Sequence, residues 1–152
     1  MRLSGWKFLP LVFTLAPACD DGTAPPPQLR GNYVLESINS SPPPAIVLSR
    51  EGYTTTVIWS TLDFDAGDYA ILVQRIRYTS PNAPPTEVTH TTRYSYRFNG
   101  ESIAFDYSPP CPANALCVAP PTGKVDASTV TLSYAADSPF RGVSVYRLSG
   151  LD

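Results

Sequence analysis

The sequence predicts an all-β domain, an antiparallel up-and-down β-barrel of about eight strands, over residues 31–150. Three observations lead there. Segments rich in Tyr, Thr, Val and Ile recur along the chain, and no window sustains a helical period. Seventeen Pro and nine Gly punctuate them, so each segment is short enough to be a strand. The connections alternate between long Pro-bearing loops and tight turns, and in an antiparallel meander alternate connections lie at opposite ends.

The chain opens on an export signal. Arg2 and Lys7 precede an uncharged, mostly apolar run, and Ala16 and Ala18 stand three and one residues before Cys19, as small residues do at a secretory cleavage site. The run is too short to cross a hydrocarbon core, which takes about 20 residues. Leu15, Ala18 and Cys19 resemble the lipobox of bacterial lipoproteins, in which the Cys is acylated and becomes the mature N-terminus; Pro17 and Ala16 depart from its commonest form. Ordinary signal peptidase would cut at the same place. Cysteine pairing favours the lipid, because an oxidising compartment lets Cys111 and Cys117 form a disulfide and leaves Cys19 odd. Residues 1–18 are therefore read as a lipoprotein signal peptide. Residues 19–30, with Pro25, Pro26 and Pro27, follow as a lipidated, semi-rigid tether extending about 3.1 Å per residue. The expected location is the bacterial cell envelope, lipid-anchored, periplasmic or surface-exposed.

Loss of Arg2 and Lys7 with the signal leaves nine basic against thirteen acidic residues, a charge of −4. Nucleic acid is not an expected partner, since no basic stripe remains to neutralise phosphates.

Within the domain, 31–38 alternates Tyr33 and Leu35 against Asn32, Val34 and Glu36 and reads as the first strand. Pro42, Pro43 and Pro44 remove three backbone donors in a row and make a loop. Residues 45–64 read as one long strand bulged at Gly52, which gives eight strands; a true turn at Gly52 would give nine. Asp65 to Gly67 fits a three-residue hairpin closed by a left-handed Gly. Residues 69–79 return with an ambiguous inward side, and 81–85 is a Pro-bearing loop. Asn99-Gly100 signals a type I′ turn that pairs Tyr96 with Ile103, Tyr94 with Phe105 and Arg93 with Asp106. A one-residue slip there would turn the aromatic ladder outward. A disulfide pins the loop 109–121; 123–125, 129–134 and 142–148 complete the strands. All four Pro-bearing loops then share one rim, and both chain ends the other.

Gly31-Asn32-Tyr33 resembles the G-x-W that opens lipocalins, with Tyr33 in place of Trp, and the opening G-x-Y-x-L with Asn39 is similar to small lipocalin-like envelope lipoproteins. The resemblance implies an interior binding site and a basic residue on the last strand, Arg147, packed over the aromatic. Candidate ligand-binding residues are Tyr94, Tyr96, Phe98, Ile103 and Phe105 on the inward ladder, continued by Tyr107. Eight strands leave room either for side chains alone or for one small ligand. Two functions follow: binding of a small hydrophobic or amphipathic ligand past the Pro-rich loops, or a filled barrel whose loops, with Leu116 and Val118, contact an envelope protein. Catalysis is not expected, nor a cofactor. His90 has no metal-ligand or triad spacing around it. Asp63, Asp65 and Asp68 are read as turn residues rather than a calcium loop, since Gln74 stands where the bidentate Glu would be.

Overall fold

The computed structural model describes residues 29–65, 67–136, 138 and 140–150. The expected signal peptide and Cys19, with the tether as far as Gln28, lie outside them. Among the described residues nine strands form: β1 (Gly31–Ile38), β2 (Ala45–Arg50), β3 (Tyr53–Phe64), β4 (Tyr69–Ser80), β5 (Ala83–Phe98), β6 (Ser102–Tyr107), β7 (Thr122–Asp126), β8 (Thr129–Tyr134) and β9 (Gly142–Leu148). Every pairing is antiparallel, and β1 joins β9 on one edge and β3 on the other. Strands β1 and β3 to β9 thus close an eight-stranded up-and-down barrel, with β2 as an extra strand.

The ninth strand comes from Gly52. Glu51 and Gly52 both take positive φ, 50° and 82°, and Arg50 pairs with Tyr53, so the expected bulge is a two-residue hairpin turn. The barrel count stays at eight because β2 continues β1 along a single edge of β3. Residues 31–34 pair with 61–64, and Ala45 to Arg50 take over from Val57 to Tyr53. Between them the chain turns back at Asn39 and Ser40, both at positive φ.

The rims are segregated by connection type. Turns 65–68, 99–101 and 127–128 lie with both ends of the barrel chain, while 39–44, 108–121 and 135–141 lie at the opposite end with turns 51–52 and 81–82. Residues 81–85 differ from the expected loop. Ser80 pairs with Ala83, so the turn is tight, and Pro84 and Pro85 sit inside β5. Their missing N–H groups break no ladder pairing, because Pro84 and Pro85 fall at the register shift between Tyr78 and Ser80, in a stretch, residues 83–92, with a strand on one edge only. These ten residues reach about 30 Å past β6 at about 3.3 Å each, and carry β2 and the adjoining parts of β3 and β4 as an arm beyond the barrel.

The hairpin β5–β6 corrects the expected register. Tyr96 faces Phe105, Tyr94 faces Tyr107 and Phe98 faces Ile103, two residues from the expected pairing. Asn99 is the reason: its Oδ1 accepts the N–H groups of Glu101 and Ser102, 3.1 and 2.8 Å away, which stabilises a longer loop in which Gly100 takes positive φ. A two-residue shift preserves the inward face, because side chains alternate with period two. It changes the ion pair: Asp106 meets Arg97 at 3.3 Å, and Arg93 lies over the Tyr69 ring, 3.7 Å from its centroid. At 65–68 the left-handed residue is Asp68 instead of Gly67, and Asp65 Oδ1 accepts the N–H groups of Gly67 and Tyr69.

Burial settles β4. Ala70, Leu72, Gln74 and Ile76 face inward, and Arg75 and Arg77 face out toward Glu87, each 2.7 Å away. Arg147 does not take the position that the lipocalin resemblance implies: it points outward to Glu36 at 2.8 Å, while Tyr33 points inward, edge-on to Phe64.

Candidate functional site at the loop end of the barrel

The barrel interior has two unlike halves. At the tight-turn end Phe64 packs edge-to-face on Tyr33 and Tyr96, with centroids 5.6 and 5.1 Å apart, and tilted against Phe105 at 6.5 Å. Leu62, Ile103, Val130 and Leu132 pack into the same cluster. Leu29 covers this end, buried in the cluster, and its carbonyl accepts a 3.1 Å bond from the Tyr96 hydroxyl. This half is filled.

The loop half is aromatic but polar. Tyr146, fully buried, shares a 3.0 Å hydrogen bond with Ser60 Oγ, and Ser60 Oγ donates to the Val73 carbonyl at 3.0 Å. Either hydroxyl of the Ser60–Tyr146 pair can be the donor. The hydroxyls of Tyr94, Tyr107 and Tyr134 interact with one another and with Tyr146. Beside them lies a cavity of about 120 Å³, lined on its polar side by Gln74, Thr92, Tyr94, Tyr107, Tyr134 and Ser138, and on its apolar side by Leu72, Val118, Ala119, Pro121 and Phe140. Three residues of the apolar wall, Val118, Ala119 and Pro121, follow directly after the loop that the Cys111–Cys117 disulfide closes. Such a bond in so short a loop stabilises by about 2 kcal/mol through loop-closure entropy.

Burial dominates the electrostatics. It pushes the Tyr146 phenol up to about 12, with the neighbouring hydroxyls of Ser60 and Tyr134 working the other way. Tyr134 is raised well above the usual phenol range by burial and then by Tyr146 and Tyr94, and Tyr94 by burial and then by Tyr107 and Tyr146. All stay neutral near pH 7. The Tyr134 hydroxyl, though buried, has no hydrogen bond of proper geometry among the described residues.

The five expected ligand-binding residues separate. Tyr94 lines the cavity, and Tyr96 and Phe105 are buried in the core. Ile103 is also buried in the core, and with Phe98 it borders a different concavity of about 510 Å³, together with Arg97, Ala104, Thr122 and Lys124. That groove lies over the three-residue pairing of β6 with β7, where Ala104 and Gly123 are small, and it is broadly open to solvent. We place the site at the smaller, less open cavity because polar groups converge there beside an apolar wall.

Gln74, Thr92, Tyr134 and Phe140 were not singled out from the sequence. One signal was present for Gln74: it interrupts the inward set Ala70, Leu72, Ile76, and a polar residue in a buried row needs a partner. His90 is exposed on the arm, 3.2 Å from the Tyr78 hydroxyl. Among the described residues no group of three His, Cys, Asp or Glu side chains is placed to hold a metal ion. No family model, curated protein or solved structure matches the chain.

Proposed function

We propose that this is a lipid-anchored protein of the bacterial envelope, similar in kind to lipocalin-like lipoproteins, whose barrel binds a small amphipathic molecule at its loop end. The cavity beside residues 118–121 carries the proposal: it is polar on one wall and apolar on the other, and it adjoins the rim opposite the chain ends. Acylation at Cys19 would hold the tight-turn end toward the bilayer, so the binding end faces away from it. About 120 Å³ lies well below the roughly 300–1,000 Å³ of sites for drug-sized ligands, so a long acyl chain is not the cargo. Binding is favoured over catalysis because the lining groups are an amide, hydroxyls and phenols. Burial pushes the pKa values of the phenols Tyr94 and Tyr134 further above neutral pH, whereas a general base works best with a pKa near the operating pH.

Native mass spectrometry of the full chain, exported and extracted in mild detergent, tests both parts. Success is a diacylglyceryl mass on Cys19 together with a stoichiometric small adduct; an unacylated Cys19 removes the anchor, and a clean apo mass removes the cargo. A second reading, contact with an envelope protein through the loop rim, is favoured by Leu116, fully exposed within the disulfide loop. Leu116→Asp would abolish crosslinking to that partner under this reading and leave the adduct intact under the first.

A further inference from the structure

We infer that the arm pairs with a second copy of this chain, β5 against β5 antiparallel about a twofold axis at Thr89. The evidence is an open and self-complementary strand edge. In an antiparallel strand a residue's N–H and C=O point to the same side, and the side alternates from one residue to the next. Tyr96 donates its N–H to the Asp68 carbonyl on the β4 side, and the Arg93 carbonyl accepts on the other side from the Ser108 N–H at 3.0 Å. From Thr86 onward the even-numbered residues of β5 therefore bond to β4. Glu87, Thr89 and Thr91 turn their N–H and C=O groups the other way, where among the described residues no backbone meets them.

An edge of this kind templates pairing with another chain unless Lys, Pro, a bulge or a covering loop blunts it. Residues 86–92 have none of these. Pro84 and Pro85 end the open stretch on one side and the Arg93–Ser108 bond ends it on the other, while residues 83–91 are all exposed. The one carboxylate, Glu87, is held by Arg75 and Arg77 of its own chain, each 2.7 Å away. A twofold axis at Thr89, the middle of the stretch, sets Thr89 opposite the partner's Thr89 and Glu87 opposite the partner's Thr91. In each of these pairs both N–H groups find a C=O. Pro85, without an N–H, meets the partner's Arg93, whose carbonyl is already taken. Neighbouring axes fit worse: about Val88, Thr91 meets Pro85, and about His90, Glu87 meets Arg93. At Thr89 no like charges face each other, hydroxyls meet across the axis, and the exposed Val88 lies beside the partner's His90. The arms join into one sheet, with the barrels pointing away from each other.

Native mass spectrometry of the full chain over a dilution series, with amide hydrogen exchange on the same samples, tests the pairing. A dimer should form at micromolar concentration. Exchange at Glu87, Thr89 and Thr91 should slow in the dimer and quicken on dilution, while Val88 and His90, bonded to β4, stay protected in both. Thr89→Pro removes an N–H that faces the open edge and no bond to β4, so the fold should persist while the dimer weakens at least about tenfold. Thr89→Lys, the second variant, sets two ammonium groups across the axis and should dissociate the dimer as well. A monomer throughout the micromolar range, a dimer indifferent to both substitutions, or protection gained at β2, the other end of the sheet, instead of at β5 overturns the inference. The small adduct of the loop-end cavity is read separately in the same spectra.

Discussion

Phe64→Ala is the sharpest test of a barrel filled at one end. Phe64 is 3% exposed and touches three other rings, two of them edge-to-face. Truncating a buried Phe costs about 3–5 kcal/mol, in which each aromatic pair contributes about 0.5–1.5 kcal/mol beyond its buried area. The loss should fall near the upper end here, because Leu29 covers this end of the barrel and little around the ring is free to collapse into the gap. At roughly 4 °C per kcal/mol for a domain of this size, the melting temperature should drop by about 12–20 °C. Phe98→Ala is the internal control. It lies on the same inward face, but at the rim and only partly buried, so about 1 kcal/mol is expected. Urea unfolding followed by circular dichroism, with the disulfide intact, gives both values. A Phe64→Ala loss under about 1.5 kcal/mol, or one no larger than that of Phe98→Ala, would mean that the tight-turn end is loosely packed and that the division of the interior is wrong.

Alkaline pH should destabilise the fold before it affects anything else. The buried phenols have folded pKa values raised above the ordinary 10, so their contribution is complete below pH 10 and is lost as pH rises through the folded values, about 12 for Tyr146. A tenfold difference in proton affinity between the folded and unfolded chain is worth about 1.4 kcal/mol, so Tyr146 alone contributes about 3 kcal/mol over that window. Urea midpoints at pH 8, 10 and 11.5 should be flat over the first interval and fall over the second, and a flat line throughout would contradict the buried tyrosine cluster. Gly142→Ala should cost about 1–3 kcal/mol, because Gly142 sits at φ +112° and its new methyl would collide with Asn39 Oδ1, which accepts the Val143 N–H at 2.9 Å. A melting temperature equal to that of the unsubstituted protein would show that the Asn39 turn does not bind the start of β9.

Much of this molecule could be read from sequence alone. The alternation of Tyr33 and Leu35, the inward row Tyr94, Tyr96, Ile103 and Phe105, and the last strand at Gly142–Leu148 follow from period-two patterning, which depends only on neighbouring residues. The alternating connections fixed which loops share a rim, since antiparallel strands leave no other choice. The disulfide followed from counting cysteines in a chain whose sequence reads as exported.

Tertiary structure decided the rest, wherever two local solutions differ little in energy. A Gly can be a bulge or a turn, and Gly52 became a turn once β2 could continue β1 along the edge of β3. Asn-Gly can form a two-residue turn or, with Asn99 accepting two N–H groups, a longer one, and the inward face is the same either way. Whether inward rings fill a barrel or line a cavity is set by how residues far apart in sequence pack. Phe64, Tyr96 and Leu29 close one end, while Tyr94, Tyr134 and the segment beyond Cys117 leave space at the other.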